Sequence, residues 1–270
     1  MSDLAMSADS CAEPVVQARG LSVGYSTDAI LSLLDFSVGR GQTLALVGAN
    51  GSGKSTLLKA IAGLLRPMGG ELSVLGGLPL ATPARVAYLG QFHPSGFVLP
   101  LCVAEVVRMG RFAARGLFGK FGPADEEAVH EAIEAVGLSD IADTPLNELS
   151  GGQRQRVFIA QALARRAELL LLDEPEANLD AASRTNTRRL FAEAVGRGAS
   201  AIIATHDIDA AAACDHTMLL ARRVVAYGPS AQVLRADALL ETFGVVGRAE
   251  GDKVVVVGRE HGHEGCDHAD

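Results

Sequence analysis

Eight consecutive residues have the pattern of a loop that binds phosphate. Residues 48–55 read GANGSGKS, directly after the apolar run TLALV and directly before a segment with helical spacing. Glycines permit a tight loop whose N–H groups surround a phosphate, and the following helix N-terminus favours negative charge. We expect Lys54 to neutralise phosphate charge and the Ser55 hydroxyl to hold Mg²⁺. The predicted nucleotide contacts are Gly48, Ala49, Asn50, Gly51, Ser52, Gly53, Lys54, Ser55 and Thr56.

A second apolar run ends in two carboxylates. Residues 169–172 (LLLL) precede Asp173 and Glu174. We expect Asp173 to support the magnesium ion and Glu174 to act as general base or to orient the attacking water, a role worth roughly 10² to 10⁴ in rate. A strand that ends in solvated acids would look the same in isolation. The phosphate-binding loop upstream favours nucleotide hydrolysis.

A third motif, LSGGQ, directly precedes a segment with one apolar helical face. A hydroxyl, free N–H groups and the positive end of the helix dipole form a second anion site there. A nucleotide has only one γ-phosphate. Two anion sites so far apart in sequence are consistent with a clamp on one phosphate from opposite sides, from one copy of the chain or from two. The motif comprises Leu149, Ser150, Gly151, Gly152 and Gln153.

Composition limits the class of protein. With 270 residues, 48% hydrophobic and 21% charged, the chain can bury a sizeable core. The formal net charge of -8 argues against a nucleic-acid partner. The apolar runs are shorter than the roughly 20 residues that cross a bilayer, and the first residues lack the features of a secretory signal, so we expect a cytoplasmic protein. The cysteines are widely spaced, which favours reduced thiols: Cys11, Cys102, Cys214 and Cys266.

The order of apolar patterns predicts an α/β fold with a parallel core sheet. The pattern of residues 14–47 predicts several strands. From Ser55 to Leu65 the apolar spacing predicts a helix, which the following Pro67 would terminate. Helical spacing dominates residues 92–148, and the α/β pattern then returns. The predicted organisation is a flexible N-terminus (1–13), one main domain (14–240) with a helical insert (92–148), and a C-terminal hairpin and polar tail (241–270).

The three motifs, together with ATHD at residues 204–207, resemble those of ABC ATPases over about residues 14–230. LSGGQ is the signature motif of that family. The resemblance implies the ABC variant of the P-loop NTPase fold, with a small antiparallel β subdomain and an inserted α-helical subdomain. It also implies a homodimer that sandwiches two ATP molecules, each between one P-loop and the signature motif of the other subunit.

The resemblance implies roles for four further residues. Tyr25 is similar to the aromatic residue that stacks on adenine, and Gln91 to the glutamine that senses Mg²⁺ and the attacking water. His206 resembles the switch histidine at the γ-phosphate, and Asp180 lies in the loop that communicates between the paired sites. Glu174, His206 and Gln91 are thus the expected catalytic residues, and Ser55, Gln91 and Asp173 the expected Mg²⁺ ligands.

Two positions depart from the usual family pattern. Gly90 stands before Gln91 where a bulkier residue or proline is frequent, and we expect an effect on loop flexibility. Residues 176–178 (EAN) replace the commoner small or polar residues after Pro175, with an expected effect on the dimer seam. Neither departure removes a catalytic group.

The sequence shows no membrane span, and in this it resembles bacterial importers, which usually keep the ATPase and the permease as separate subunits. RVAYLGQF and the segment VAEVVRMGRFAARGLFGKFGPAD are most similar to ATPases that serve zinc and manganese uptake. The ATPases of siderophore or haem importers and of iron-sulfur cluster assembly remain alternatives. The expected partners are integral membrane permease subunits, docked at residues 92–111, and indirectly an extracytoplasmic substrate-binding protein. The chain would then lie on the cytoplasmic face of the membrane, as a peripheral subunit.

The end of the sequence is rich in metal-binding residue types. A candidate zinc site there would use His261, His263, Cys266 and His268. A flexible polar tail without a specific role is the alternative, because the sequence shows no fixed ligand geometry.

Overall fold

A computed structural model describes residues 13–90, 101–115, 119–250 and 253–259. Within these residues the strands are β1 (Val16–Tyr25), β2 (Asp28–Val38), β3 (Thr43–Val47), β4 (Gly69–Val74), β5 (Val86–Leu89), β6 (Leu169–Asp173), β7 (Ser200–Thr205), β8 (His216–Leu220), β9 (Val224–Pro229), β10 (Val245–Glu250) and β11 (Lys253–Arg259). The helices are α1 (Lys54–Ile61), α2 (Val103–Arg115), α3 (Pro123–Ala135), α4 (Gly151–Ala164), α5 (Ala181–Gly196), α6 (Ile208–Ala212), α7 (Ser230–Val233) and α8 (Ala236–Phe243).

The main sheet has six strands in the order β5-β6-β7-β3-β8-β9. Its neighbouring strands run parallel except for the antiparallel pair β8 and β9. This confirms the predicted α/β class. Because the carboxyl ends of parallel strands meet at one edge of a sheet, the loops after β3, β6 and β7 come together there.

Strand β6 shows why these segments fold as buried strands. All five of its residues are buried. Leu170 and Leu172 pack with α4 and α5 on one face, while Leu169 and Leu171 pack with α1 and the N-terminal strands on the other. A strand covered on both faces needs a continuous apolar run rather than alternation, which the sequence provides.

The predicted antiparallel β portion is confirmed as a separate three-stranded sheet in the order β2-β1-β4. Its inner residues join the core cluster that contains α1. The hydroxyl of Tyr227 on β9 donates to the carbonyl of Ser37 on β2 at 2.7 Å. The antiparallel sheet is thus tied directly to the main sheet.

Helix α1 is shorter than the sequence predicts. The apolar spacing indicated a helix to Leu65, but it ends at Ile61. Gly63 adopts a left-handed conformation with φ of +76°, and the N–H of Leu64 turns back to the carbonyl of Lys59 at 2.8 Å. A left-handed glycine after a helix closes its last carbonyls, and this local geometry stops the helix before the apolar pattern does.

Helices α2, α3 and α4 pack together around a buried carboxylate. Asp125 is fully buried and accepts hydrogen bonds from Arg111 Nε at 2.9 Å, Arg115 Nε at 2.8 Å and Gly122 N–H at 3.0 Å. Arg111 also donates to the carbonyl of Ala164 at 3.1 Å. One acidic residue of α3 therefore holds the end of α2, which in turn contacts the end of α4.

Strands β10 and β11 pair antiparallel to each other. Among the helices of the described residues, none combines the length and the apolar character needed to span a membrane. Cys102 and Cys214 lie in the described part of the chain and are free thiols.

Candidate nucleotide site

The loop between β3 and α1 is shaped by three glycines. Gly51 and Gly53 adopt left-handed conformations, with φ of +78° and +107°. A Cβ atom at Gly48 would lie 2.1 Å from the carbonyl oxygen of Leu220, so a side chain there would displace the strand behind the loop. The loop can therefore curl tightly at the end of β3, as a phosphate-binding loop requires.

The ammonium of Lys54 lies inside this loop. Its Nζ donates to the carbonyls of Gly48 at 2.7 Å and Ala49 at 3.1 Å. Burial lowers the pKa of Lys54, and the negative charges of Glu174 and Asp173 oppose that shift. The cation is thus placed between the loop backbone and two acids, where phosphate oxygens can replace its carbonyl partners.

Ser52 lies in this loop with a buried side-chain hydroxyl. Its side chain is 4% exposed, and its Oγ has no hydrogen-bond partner among the described residues. Buried hydroxyls are nearly always paired, so an orphan at the centre of a phosphate-binding loop fits a nucleotide phosphate.

The residues next to the loop fit Mg²⁺. Asp173 at the end of β6 is 2% exposed and accepts a hydrogen bond from the Ser55 hydroxyl. Burial raises the pKa of Asp173, while the bond from Ser55 and the charge of Lys54 lower it. A buried carboxylate beside a hydroxyl is the kind of oxygen set that Mg²⁺ accepts, and the ion would supply charge neutralisation for the β- and γ-phosphates.

Glu174 has an unusual backbone for its residue type. Its φ is +49°, and its N–H donates to the carbonyl of Ala204 on β7 at 3.0 Å. A left-handed conformation costs a non-glycine residue on the order of 1 kcal/mol and is concentrated at functional sites. Glu174 and the exposed His206 line one cavity of about 850 Å³ at the ends of adjacent strands. The sheet edge thus brings two of the three predicted catalytic side chains, those of Glu174 and His206, to one place.

Tyr25 ends β1 with 46% of its surface exposed, which leaves its ring accessible to an adenine.

The structure also places Tyr88 of β5 at the site. Burial raises the pKa of Tyr88 to about 12, with further contributions from the charge of Asp173, from Tyr25 and from a hydrogen bond to Asp173. A Cβ atom at Gly90 would lie 3.1 Å from the Tyr88 ring, so the unusual glycine leaves room for this tyrosine.

The signature motif caps α4. The Ser150 hydroxyl accepts from the Gln153 N–H at 3.2 Å, and the Gln153 side chain accepts from the Ser150 N–H at 2.8 Å, which is a capping box. Leu149 is anchored in the core, whereas Ser150 and Gly151 are exposed. A Cβ atom at Gly152 would lie 3.3 Å from the carbonyl of Asn178, so the motif lies against the loop that follows Glu174.

Asp180 begins α5 as its N-cap. Its carboxylate accepts from the N–H of Ser183 at 2.8 Å and from the hydroxyl of Ser183 at 3.1 Å. The hydrogen bond from the Ser183 N–H is the main cause that lowers the pKa of Asp180. Its local role is therefore to fix the start of α5, directly after the loop beside the signature motif.

Some predicted site residues lie outside the described residues. These are Gln91, residues 92–100 of the predicted docking region, and the tail residues His261, His263, Cys266 and His268. Sequence reasoning in turn missed Tyr88, Gln155 and Arg188. The segment RVAYLGQF contains Tyr88, and QRQR contains Gln155, but neither pattern by itself assigns a contact to these side chains.

A parallel sheet with a phosphate-binding loop at its carboxyl edge defines a P-loop ATPase. The model of the ABC transporter family matches residues 31–177. The manganese transport system ATP-binding protein MntB of Halalkalibacterium halodurans is 36% identical over 247 residues, with 90% of this chain and 98% of the relative covered. The zinc transport system ATP-binding protein TroB of Treponema pallidum is 36% identical over 230 residues, with 85% and 86% covered.

The solved structures agree with these relatives. A transporter assigned to the metal-chelate ABC type, solved in an inward-facing conformation, contains a chain that superposes with a TM-score of 0.74 at 27% identity. The similarity covers 90% of this chain and 96% of that one. The chain therefore belongs to the ABC transporter family. It is an ATP-binding subunit of that family and an ATP hydrolase.

Proposed function

We propose that this chain is the ATPase subunit of an ABC importer for manganese or zinc ions, acting through separate permease subunits. The observation that carries the proposal is the 36% identity to manganese and zinc transport ATP-binding proteins over nearly the whole chain. The metal ion is the cargo of the permease and is distinct from the Mg²⁺ at the nucleotide.

The geometry of the site supports hydrolysis by two copies of the chain. One copy provides the loop of residues 48–56 with Asp173, Glu174 and His206, and these groups surround a phosphate from one side. The exposed Ser150 provides a hydroxyl and the exposed Gly151 an N–H group at a helix N-terminus, suited to the γ-phosphate of a second copy. ATP would hold such a homodimer closed, and hydrolysis would release it.

The docking region for the permease is proposed on the helical part of the chain. Residues 101–111 of the predicted region are described, and they contain most of α2. Within that region Met109 is 46% exposed, and Phe112, the first residue after the region, is 52% exposed. Exposed apolar side chains near one another on a helix suit contact with a protein partner. Through that contact the chain would lie on the cytoplasmic face of the membrane, and a substrate-binding protein would act from the opposite side.

A metal-chelate importer is the second candidate function. The similarity in structure to a transporter assigned to the metal-chelate type favours it, at 27% identity. The sequence relatives at 36% identity favour free manganese or zinc ions instead. The two candidates share every nucleotide contact and differ in cargo.

Metal uptake in cells tests the proposal. Cells that lack the chain are complemented with the wild type or with Glu174→Gln, and uptake of manganese, zinc and a ferric chelate is measured. Tagged protein is recovered from their membranes and its partners are identified by mass spectrometry. We expect a polytopic permease among the partners, and uptake of manganese or zinc that the wild type restores and Glu174→Gln does not.

Other outcomes are equally informative. Restored uptake of the ferric chelate alone would replace the metal-ion proposal with the chelate importer. Recovery of soluble assembly proteins without a permease would refute the importer and favour iron-sulfur cluster assembly. Full uptake with Glu174→Gln would remove Glu174 from the hydrolysis step.

A further inference from the structure

One arginine on α5 binds both of the loops that follow the predicted catalytic residues. Arg188 Nε donates to Glu176 Oε1 at 2.7 Å, and its Nη2 donates to Glu176 Oε2 at 2.6 Å. The same Nη2 donates to Asp207 Oδ2 at 2.5 Å. Glu176 is two residues after Glu174, and Asp207 directly follows His206.

The two acids are themselves fixed to their loops. Asp207 uses its other oxygen, Oδ1, to accept from the N–H groups of Asp209 at 2.9 Å and Ala210 at 3.1 Å, which caps α6. The loop of Glu176 is fixed at its start by the buried Gln155, whose Nε2 donates to the carbonyl of Pro175 at 2.9 Å. A shift of Arg188 therefore moves ordered loops rather than free side chains.

The sheet fixes where the two loops begin, but beyond the strand ends close packing does not fill the space between them. Glu174, Glu176, Arg188, His206 and Asp207 all line the cavity of about 850 Å³ between α5 and the end of β7. The bidentate arginine crosses this open space, and a guanidinium fork fixes both distance and orientation. The hydrogen bonds that Arg188 donates to Glu176 are the main cause that raises the pKa of Arg188, so the fork stays charged.

We propose that Arg188 is a positioning residue for ATP hydrolysis, which holds the Glu174 loop and the His206 loop at the separation that the hydrolytic step requires. Glu176, a departure from the family pattern, supplies the partner within the chain. The inference rests on the ATP hydrolysis of this chain and is independent of the transported cargo. Misplacement of a catalytic group by about 1 Å can slow a reaction about 10²-fold, so a loosened pair of loops should lower turnover more than binding.

The test compares ATP turnover of the full-length wild type with Arg188→Gln, Arg188→Lys, Glu176→Gln and the double variant Arg188→Gln/Glu176→Gln. Arg189→Gln is the matched control, because Arg189 pairs with Glu193 and Asn186 on the same helix. We expect kcat to fall about 10-fold in Arg188→Gln with KM for ATP changed less than about twofold. Arg188→Lys should recover part of kcat, since it keeps the charge but loses the fork.

Coupling between the two partners distinguishes positioning from a general loss of stability. The double variant should be no slower than Arg188→Gln, because Arg188→Gln already breaks the contact that Glu176→Gln removes. Equal kcat for Arg188→Gln and Arg189→Gln would overturn the proposal, as would multiplied losses in the double variant. A fall in kcat that tracks the fall in Tm across all variants would also overturn it. A wild type without turnover would refute the hydrolysis itself, whereas turnover that survives Arg188→Gln refutes only the role of Arg188.

Discussion

Two serines of the same loop should respond to alanine with opposite changes in the stability of the nucleotide-free protein. The Oγ of Ser52 is buried without a partner among the described residues, whereas the hydroxyl of Ser55 donates to the buried Asp173. An unpaired buried polar group costs about 1–3 kcal/mol of stability. Ser52→Ala removes that penalty, while Ser55→Ala creates one at the carboxylate that loses its donor.

The magnitudes follow from these contacts. Ser52→Ala should stabilise the nucleotide-free chain by about 1 kcal/mol, which raises Tm by about 2–4 °C for a protein of this size. Ser55→Ala should lower Tm by a similar amount or more. Both variants should bind ATP less tightly. Ser52→Ala loses a hydrogen bond to a charged phosphate, which contributes about 1.5–3 kcal/mol, or roughly 10- to 100-fold in Kd. Ser55→Ala loses an expected ligand of the Mg²⁺ ion that accompanies ATP.

Thermal unfolding in EDTA without nucleotide measures the first effect, and titration with a fluorescent ATP analogue in Mg²⁺ measures the second. The two serines lie three residues apart, so each variant is the control for the other. A lower Tm for Ser52→Ala, or an ATP affinity of Ser52→Ala within twofold of the wild type, would refute the interpretation that the Ser52 hydroxyl is unpaired without nucleotide and binds a phosphate of ATP.

Three further predictions concern carboxylates. Glu174→Gln should keep ATP binding and slow hydrolysis roughly 10² to 10⁴-fold in a steady-state phosphate-release assay, and undiminished turnover would contradict its role. Hydrogen bonds from Arg85 lower the pKa of Glu168 to about 2 in the folded chain. The ion pair therefore stabilises the folded chain fully at pH values above the pKa of Glu168 in the unfolded chain, and this stabilisation is lost as the pH falls toward 2. Glu168→Gln should therefore be less stable than the wild type at pH 7, by under about 1 kcal/mol for this partly exposed pair, and equal to it near pH 2 in denaturant titrations. Asp125→Asn should lower Tm clearly more than Glu126→Gln, whose side chain is exposed, and equal shifts would contradict the anchor at the end of α2.

Much of the fold could be predicted because local patterns and tertiary packing agree. The run of leucines in β6 is apolar on both faces, as a central parallel strand must be, and the glycine loop stands between a strand and a helix. The predicted end of α1 was wrong, because the apolar spacing continues to Leu65 whereas the left-handed Gly63 stops the helix. Hydrophobic period indicates which face of a segment is buried, but hydrogen bonds at its last turn decide where a helix ends.

Contacts between side chains distant in sequence could not be predicted. Arg188 is 12 residues from Glu176 and 19 from Asp207, and no periodicity relates these positions. Tyr88 likewise meets Asp173 only because β5 and β6 are neighbours in the sheet. The unusual Glu176 and Gly90 were visible as departures, but their partners, Arg188 and the Tyr88 ring, were not.

The sequence by itself determined the chemistry of the nucleotide site and the class of fold, because the phosphate-binding loop, the acidic strand end and the signature motif are each local patterns with fixed geometry. The tertiary structure alone decided which groups are left without partners and which loops are joined. Strand order set those contacts: it placed β6 and β7 side by side, turned Glu174 and His206 toward one cavity, and left Arg188 to bridge their loops.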